Sequence, residues 1–260
     1  MNYELSTHEK TDLLGFPIFT SPLEKLGSKS KILINTINQY SYIVTRQDQG
    51  FKKALMESDV LLPDGVGIVA AIKLLTGKTI KKIAGADLHQ HLLEKLNREG
   101  GSCFYLGSSE STLNKIRERI AEEYPNVKVG TYSPPYKPEF SKEDDQQMID
   151  AVNAFKPDVL FVGMTAPKQE KWAHTHKSQL DTKIITSIGA VFDFYAGTVE
   201  RPGKIWINMG MEWLGRLVKE PKRLWKRYLY FGPVFVYLLI KEKANLVYNS
   251  PNKQPLRKVA

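Results

Sequence analysis

Between about residues 31 and 190, short apolar runs alternate with longer amphipathic stretches. "KILIN" (31–35), "DVLLP" (59–63), "SCFYLG" (102–107), "VKVGT" (127–131), "DVLFVG" (158–163) and "KIITSIG" (183–189) are β-rich and bounded by Gly, Pro or polar positions, the pattern of strands. Residues 47–57, 65–76, 86–99, 110–124, 141–155 and 167–178 carry apolar positions at helical spacing; Leu113, Ile116 and Ile120 mark one face of the fourth. This alternation predicts an α/β fold: a Rossmann-like, mainly parallel sheet with helices on both faces. Ligands of such sheets bind beyond the carboxyl ends of the strands, so residues that follow each apolar run are the first candidates for chemistry. The Pro-rich "SPPYKPEF" (133–140) reads as a loop.

After Arg201-Pro202-Gly203 the pattern changes. Arg216, Lys219, Lys222, Arg223, Lys226 and Arg227 interleave with Leu214, Leu217, Val218 and Leu224, and Trp206, Trp213 and Trp225 lie in the same region. This predicts one or two basic amphipathic helices, broken near Glu220-Pro221. "YLYFGPVFVYLLI" (228–240) is apolar, interrupted by Gly232-Pro233, and too short to span a bilayer. It suits the core, a membrane interface or a subunit contact in a homo-oligomer. The expected organisation is an α/β catalytic domain over 1–200, a basic helical appendage over 201–245 and a disordered tail over 246–260.

Charge sharpens this division. The net charge is +9, yet residues 201–260 hold 13 Lys and Arg against 3 Asp and Glu, so the preceding body is close to neutral. A basic tail on a neutral body points to a polyanionic partner: nucleic acid, acidic lipid or phosphate. The single cysteine, Cys103, excludes an intrachain disulfide framework and, inside "CFYLG", reads as a buried small hydrophobe. The first residues lack a basic segment followed by an apolar core, and no run reaches about 18 apolar residues. The expectation is a cytoplasmic protein, soluble or peripheral on a membrane.

Several strand ends carry candidate chemistry, each with a plain structural alternative. In "LLPDGVG", Asp64 follows a strand and precedes a helix; it reads as a helix cap or as a general base at the sheet edge. Gly65 and Gly67 permit close approach or tight packing, but the dinucleotide fingerprint is incomplete, which argues against a nicotinamide-dependent dehydrogenase. "NTIN" (35–38) offers small polar groups for a sugar or a cap. "LGSSES" (106–111), with Gly107 and Ser108, offers hydroxyls and N–H groups for a phosphate, or an N-cap at Ser108 or Ser109. In "VGMTAPKQEKW" (162–172), a strand ends in Gly163 and Pro167 suits a first helical turn, which gathers Lys168, Gln169 and Glu170 on the ligand side. The five histidines make no metal site, because His89 and His91, like His174 and His176, are two apart and diverge on a helix. No Asp-x-Asp, Gly-x-Ser-x-Gly or Walker A loop occurs.

Taken in order, "NTINQYSYIV", "LLPDGVGIV", "IAGADLHQHLL", "FYLGSS", "KPDVLFVG" with "APKQEKW", "IGAVFDFYAGTVERP" and "EWLGRLVKEPKRLWKRYL" closely resemble the WecG/TagA/CpsF glycosyltransferases, family 26 of the sugar transferases. The resemblance covers about residues 30–230. It implies an inverting transferase that needs no metal or other cofactor. The implied reaction moves an N-acetylmannosamine-type sugar from UDP to a lipid-pyrophosphate-linked N-acetylglucosamine, for teichoic acid or another surface polysaccharide. UDP-glucose and a UDP-linked uronic acid are alternative donors. The implied base falls on Asp64, and pocket residues on Thr36, Asn38 and Gln169. C-terminal arginines facing the lipid pyrophosphate fall on Arg216, Arg223 and Arg227. Lys82 stands where the resemblance places an arginine, keeping the charge and losing the bidentate fork. Thr165-Ala166 replace a glycine before the Pro-Lys-Gln-Glu segment. Gly107, Ser108, Gly163, Glu170 and Asp193 complete the expected substrate-binding set, Glu170 and Asp193 being alternative bases.

The chemistry agrees with the charge pattern. One carboxylate suffices to take the acceptor's proton, and a leaving UDP must meet Arg, Lys and helix N-termini. A tail both basic and aromatic suits a phosphorylated lipid at the anionic inner face of the cytoplasmic membrane. A nucleic-acid-binding role would use the same tail but leave Asp64 and "PKQE" without a task, so no nucleic-acid partner is expected.

Overall fold

The computed structural model describes residues 10–26, 31–199, 203, 206 and 211–248, apart from the side chains of Arg223 and Val247. An eight-stranded sheet organises them: β1 (Lys10–Leu13), β2 (Phe16–Phe19), β3 (Ile32–Ile37), β4 (Val60–Pro63), β5 (Ser102–Gly107), β6 (Lys128–Tyr132), β7 (Val159–Gly163) and β8 (Ile184–Ser187). The strand order is β1-β2-β4-β3-β8-β7-β5-β6. Every neighbouring pair is parallel except β1 with β2, which form a hairpin.

The Rossmann-like expectation is therefore met, and all six anticipated strands are present within a few residues of their expected bounds. The hairpin was not anticipated. Its first strand is mostly polar, Lys10, Thr11 and Asp12 before Leu13, and its second is only four residues with Pro17 inside, so no apolar alternation shows. The turn signal was Leu14-Gly15, both at positive φ (55° and 87°), with the Gly15 N–H donating to Asp12 Oδ1 at 3.2 Å. Positive φ at both central residues suits the right-handed twist of a tight hairpin.

Alternation along each strand sends side chains to two helical layers. On one face α4 (Gly85–Glu99), α5 (Glu110–Glu123) and α8 (Gly189–Tyr195) cover Ile34, Val60, Leu62, Cys103, Tyr105 and Phe161. On the other, α1 (Gln39–Thr45), α2 (Gln49–Met56) and α3 (Val66–Thr76) cover Ile37 and Leu61, while α6 (Lys142–Phe155) and α7 (Lys168–His176) cover Phe104, Leu106, Leu160 and Val162. Cys103 is fully buried among apolar neighbours and burial pushes its thiol far up, which fits the small-hydrophobe reading. Two short helices escaped the periodicity, α1 and α8, each of seven residues. The run "KIITSIG" stops being a strand at Ser187, and Gly189 opens α8.

The C-terminal segment forms α9 (Glu212–Lys219), α10 (Pro221–Trp225), a π-helical turn (Lys226–Tyr230) and α11 (Phe231–Tyr248). The break at Glu220-Pro221 is where the sequence placed it. Gly232-Pro233 does not interrupt the helix that follows. Pro233 has no N–H to offer the carbonyl four residues back, and the wider turn just before it accommodates that loss, with Phe231 N–H reaching Lys226 O. Phe235 (2% exposed) and Leu239 (6%) of α11 join the core formed by Leu13, Phe16, Tyr42, Ile43, Ile68 and Ile72. The boundary expected at residue 200, and nearly all of the expected tail 246–260, lie outside the described residues.

Candidate active site

The carboxyl ends of β3 and β4 lie side by side, with Ile37 opposite Pro63. Asp64 N–H donates to Ile37 O at 2.9 Å, so the residue after β4 is still tied to the sheet when the chain turns into α3. The N-cap of α3 is Gly65, which has no side chain, and φ there is +111°. Asp64 is thus not the cap of that helix. Its side chain instead lines a cavity of about 520 Å³, open mouth included, with Asn38, Gln39, Gly65, Val66, Lys82, Glu212, Trp213, Arg216, Arg227 and Tyr228.

Each wall has a local cause. Asn38 caps α1, its Oδ1 accepting from Ser41 N–H at 3.0 Å, which holds it at the end of β3. Lys82 lies in the stretch before α4 and donates to Glu212 Oε2 at 3.2 Å, tying the body to the first turn of α9. Arg216 sits one turn further along α9 with its guanidinium 5.1 Å from the Phe194 ring centre. Its Nε is buried without a hydrogen-bond partner among the described residues. Arg227 and Tyr228 come from the π-helical turn, and Arg227 stacks 5.2 Å from the centre of the Tyr40 ring. The C-terminal helices therefore close the mouth of a sheet-edge cavity with two arginines.

Burial pushes the Asp64 carboxyl above its ordinary range. The cations of Arg227, Lys82 and Arg216 oppose that push, and Glu212 adds to it. Arg227 is drawn below its usual value by burial, with Arg216 as a like-charged neighbour. A carboxylate made more basic by enclosure, facing three cations, can accept a proton while the cations hold phosphate groups.

The profile of the "Glycosyl transferase WecG/TagA/CpsF family" matches residues 17–248. The chain belongs to this family. It is a glycosyltransferase. A relative from Bacillus subtilis (strain 168), named N-acetylglucosaminyldiphosphoundecaprenol N-acetyl-beta-D-mannosaminyltransferase, is 29% identical over 93% of both chains. Proteins of the same name from Bacillus spizizenii (29% identical, 87% of both chains) and Staphylococcus aureus strain MW2 (24%, 94% of this chain and 97% of the relative) are similar as well.

Of the residues singled out from sequence, the cavity gathers Asp64, Gly65, Asn38, Lys82, Arg216 and Arg227. The side chain of Arg223 is outside the described residues. Thr36 is half-buried near the end of β3 and does not line the cavity. Gly107 and Gly163 end paired strands, and packing accounts for both: a Cβ on Gly107 would sit 2.2 Å from Gly163 O, and one on Gly163 would sit 2.4 Å from the Phe192 ring. Ser108 adopts φ +61° and its carbonyl accepts from Ser133 Oγ at 2.7 Å; the cap of α5 is Ser109. Asp193 lies on α8, its carbonyl accepting from the N–H of Thr198 at 3.0 Å.

Gln169 and Glu170 are buried in the first turn of α7, which starts at Lys168 and leaves Pro167 just outside. Gln169 Oε1 accepts from the N–H groups of Met164 and Gly189, both at 3.1 Å, and its Nε2 donates to Glu170 Oε1 at 2.8 Å. Lys168 donates to Lys137 O at 2.7 Å. This polar cluster stitches the ends of β7 and β8 together and does not line the Asp64 cavity. Sequence reading missed Gln39, Val66, Glu212, Trp213 and Tyr228 as cavity residues. Gln39 and Tyr228 are adjacent to predicted site residues, and Glu212 and Trp213 open the "EWLGRL" stretch.

Proposed function

We propose that this glycosyltransferase moves an N-acetylmannosaminyl group from UDP to a lipid-diphosphate-linked N-acetylglucosamine, with inversion and without a metal ion. The observation that carries the reading is Asp64 at the sheet edge, faced by Lys82, Arg216 and Arg227 from three different segments. The relatives, named as N-acetylmannosaminyltransferases acting on an N-acetylglucosaminyl-diphospho lipid, support the transferred sugar and the acceptor. In this reaction Asp64 takes the proton of the acceptor hydroxyl as that oxygen attacks the anomeric carbon from the side opposite the leaving group. The bond from the anomeric carbon to the β-phosphate oxygen breaks, and the electron pair leaves with UDP. Lys82, Arg216 and Arg227 meet the phosphate charge of the two substrates.

Membrane docking by the C-terminal helices belongs to the same proposal. On α11 the side chains of Val236 (52% exposed), Tyr237 (64%) and Ile240 (60%) face outward, opposite buried Phe235 and Leu239. Exposed Leu229, Tyr230 and Trp225 continue this apolar surface beside Lys222 and Lys226. Among the described residues no helix is long and apolar enough to cross a membrane. The surface suits a helix lying in the headgroup layer of the anionic cytoplasmic leaflet, where the acceptor lipid resides.

The test is UDP release with a short-chain lipid-diphosphate-GlcNAc acceptor and a panel of UDP-sugars, with and without EDTA. Turnover with UDP-N-acetylmannosamine that EDTA leaves intact is expected. Turnover only with another donor, or only with a divalent ion, would contradict the reading. Vesicle sedimentation should show binding that requires anionic lipid and is lost in Ile240→Asp.

A further inference from the structure

Gln39 has no place in the reaction so far, yet it sits beside the proposed base. It is the first residue of α1, next to Asn38, and its side chain lies across the β4–α3 turn. A Cβ on Gly65 would come 3.2 Å from Gln39 Oε1, and one on Gly67 would come 3.0 Å from that oxygen and 3.2 Å from the amide carbon. The Gly-x-Gly after Asp64 therefore makes room for a carboxamide. Oε1 is turned into this notch, buried and without a hydrogen-bond donor among the described residues. An amide carbonyl left in that state is under pressure to find a donor. The terminal torsion of a glutamine is broad, so a half-turn exchanges oxygen and nitrogen at the cavity that the residue already lines.

We infer that Gln39 is a specificity-determining residue whose carboxamide reads an acetamido group of a sugar bound beside Asp64. This inference rests on the proposed reaction. The division of labour in the cavity is chemical. The three cations suit phosphates, whereas a neutral amide offers one acceptor and a pair of donors, the complement of an acetamido N–H and C=O. Asp64, one residue before the glycine that Gln39 covers, acts on a sugar hydroxyl. Its neutral neighbour is therefore in reach of a sugar and not only of a diphosphate. Both proposed substrates carry an acetamido group, so the source is decided by experiment.

The experiment compares kcat/KM for UDP-N-acetylmannosamine against UDP-mannose, and separately for a GlcNAc against a glucose lipid-diphosphate acceptor. The full chain is used as wild type, Gln39→Leu and Gly67→Ala. Gly67 lies in α3, where alanine favours the helix, so its added methyl displaces the amide while the fold is kept. Both variants should lower the acetamido preference about tenfold, one neutral hydrogen bond's share, on one arm only; that arm names the sugar. Unchanged preference on both arms in both variants would overturn the inference while leaving the proposed reaction standing. Failure of the wild type to transfer between any of these pairs would contradict the reaction itself, and the inference with it.

Discussion

Two enclosed carboxyl groups sit near strand ends of this protein, and burial pushes both upward, Glu170 to about 7. Their surroundings differ. Asp64 borders a cavity and faces Lys82 from the stretch before α4 and Arg216 and Arg227 from the C-terminal helices. Glu170 lies buried in the first turn of α7 with a single side-chain partner, Gln169, and its Oε2 has none among the described residues. A shifted carboxyl alone therefore does not mark a catalytic base; it is the cations and open space around Asp64 that favour it over Glu170 as the proposed base. Glu170 instead belongs to a set of buried contacts that hold the loops after β7 and β8.

The largest expected effect separates the two roles. Asp64→Asn should lower kcat by about 100- to 10,000-fold in a UDP-release assay, the usual share of a general base. Thermal denaturation at neutral pH should show the same variant to be as stable as the wild type or more so. The folded pKa of Asp64 is raised, so its ionisation opposes folding once the pH exceeds the ordinary carboxylate value.

Arg216→Ala and Arg227→Ala should each reduce kcat/KM by roughly 100-fold, through loss of charge that meets the phosphates. Phe235→Ala tests a different property of the same C-terminal segment. It should cost about 3–5 kcal/mol of stability in denaturant titration, because Phe235 is buried in the core where α11 packs on α1 and α3, edge-on to Tyr42. Removing residues 201–260 would strip that core as well as the arginines, so loss of activity on truncation does not by itself report membrane docking.

The smallest effect concerns Glu170. Its folded pKa of about 7 stands above the ordinary 4.5, so the folded state binds the proton more tightly than the unfolded one. The stability this provides is complete below about 4.5 and drains away as pH rises toward 7. Glu170→Gln cannot ionise, so its stability relative to wild type should grow by up to about 3 kcal/mol between pH 4.5 and 8, measured by chemical denaturation. A flat difference across that range would remove Glu170 from the comparison.

The sheet was legible because six of its strands are short apolar runs with clear boundaries, and long helices such as α5 carry a full apolar stripe. The hairpin of β1 and β2 and the seven-residue helices α1 and α8 were not, since each is too short for a period to show. Asp64 was legible by its position after an apolar run. Its contest with a helix cap could be settled only by finding that Gly65 takes the cap position of α3. The "PKQE" stretch drew attention as polar residues on the ligand side, yet Gln169 spends its hydrogen bonds on Met164, Gly189 and Glu170. Such wiring joins loops that are distant in sequence, which periodicity does not reveal. The π-helical turn that brings Arg227 and Tyr228 to the cavity was equally hidden, although Pro233 five residues beyond Tyr228 was its visible cause.

We propose that the C-terminal helices and Asp64, the proposed base just after β4, form one electrostatic unit, and the acid limb of the kcat/KM–pH profile tests that most directly. It should be recorded for wild type, Arg227→Gln and Glu212→Gln with the same donor and acceptor. Arg227 favours the ionised form of Asp64 and Glu212 opposes it. Losing the arginine should therefore move the limb to higher pH, and losing the glutamate should move it to lower pH. Identical limbs in all three proteins would contradict the account.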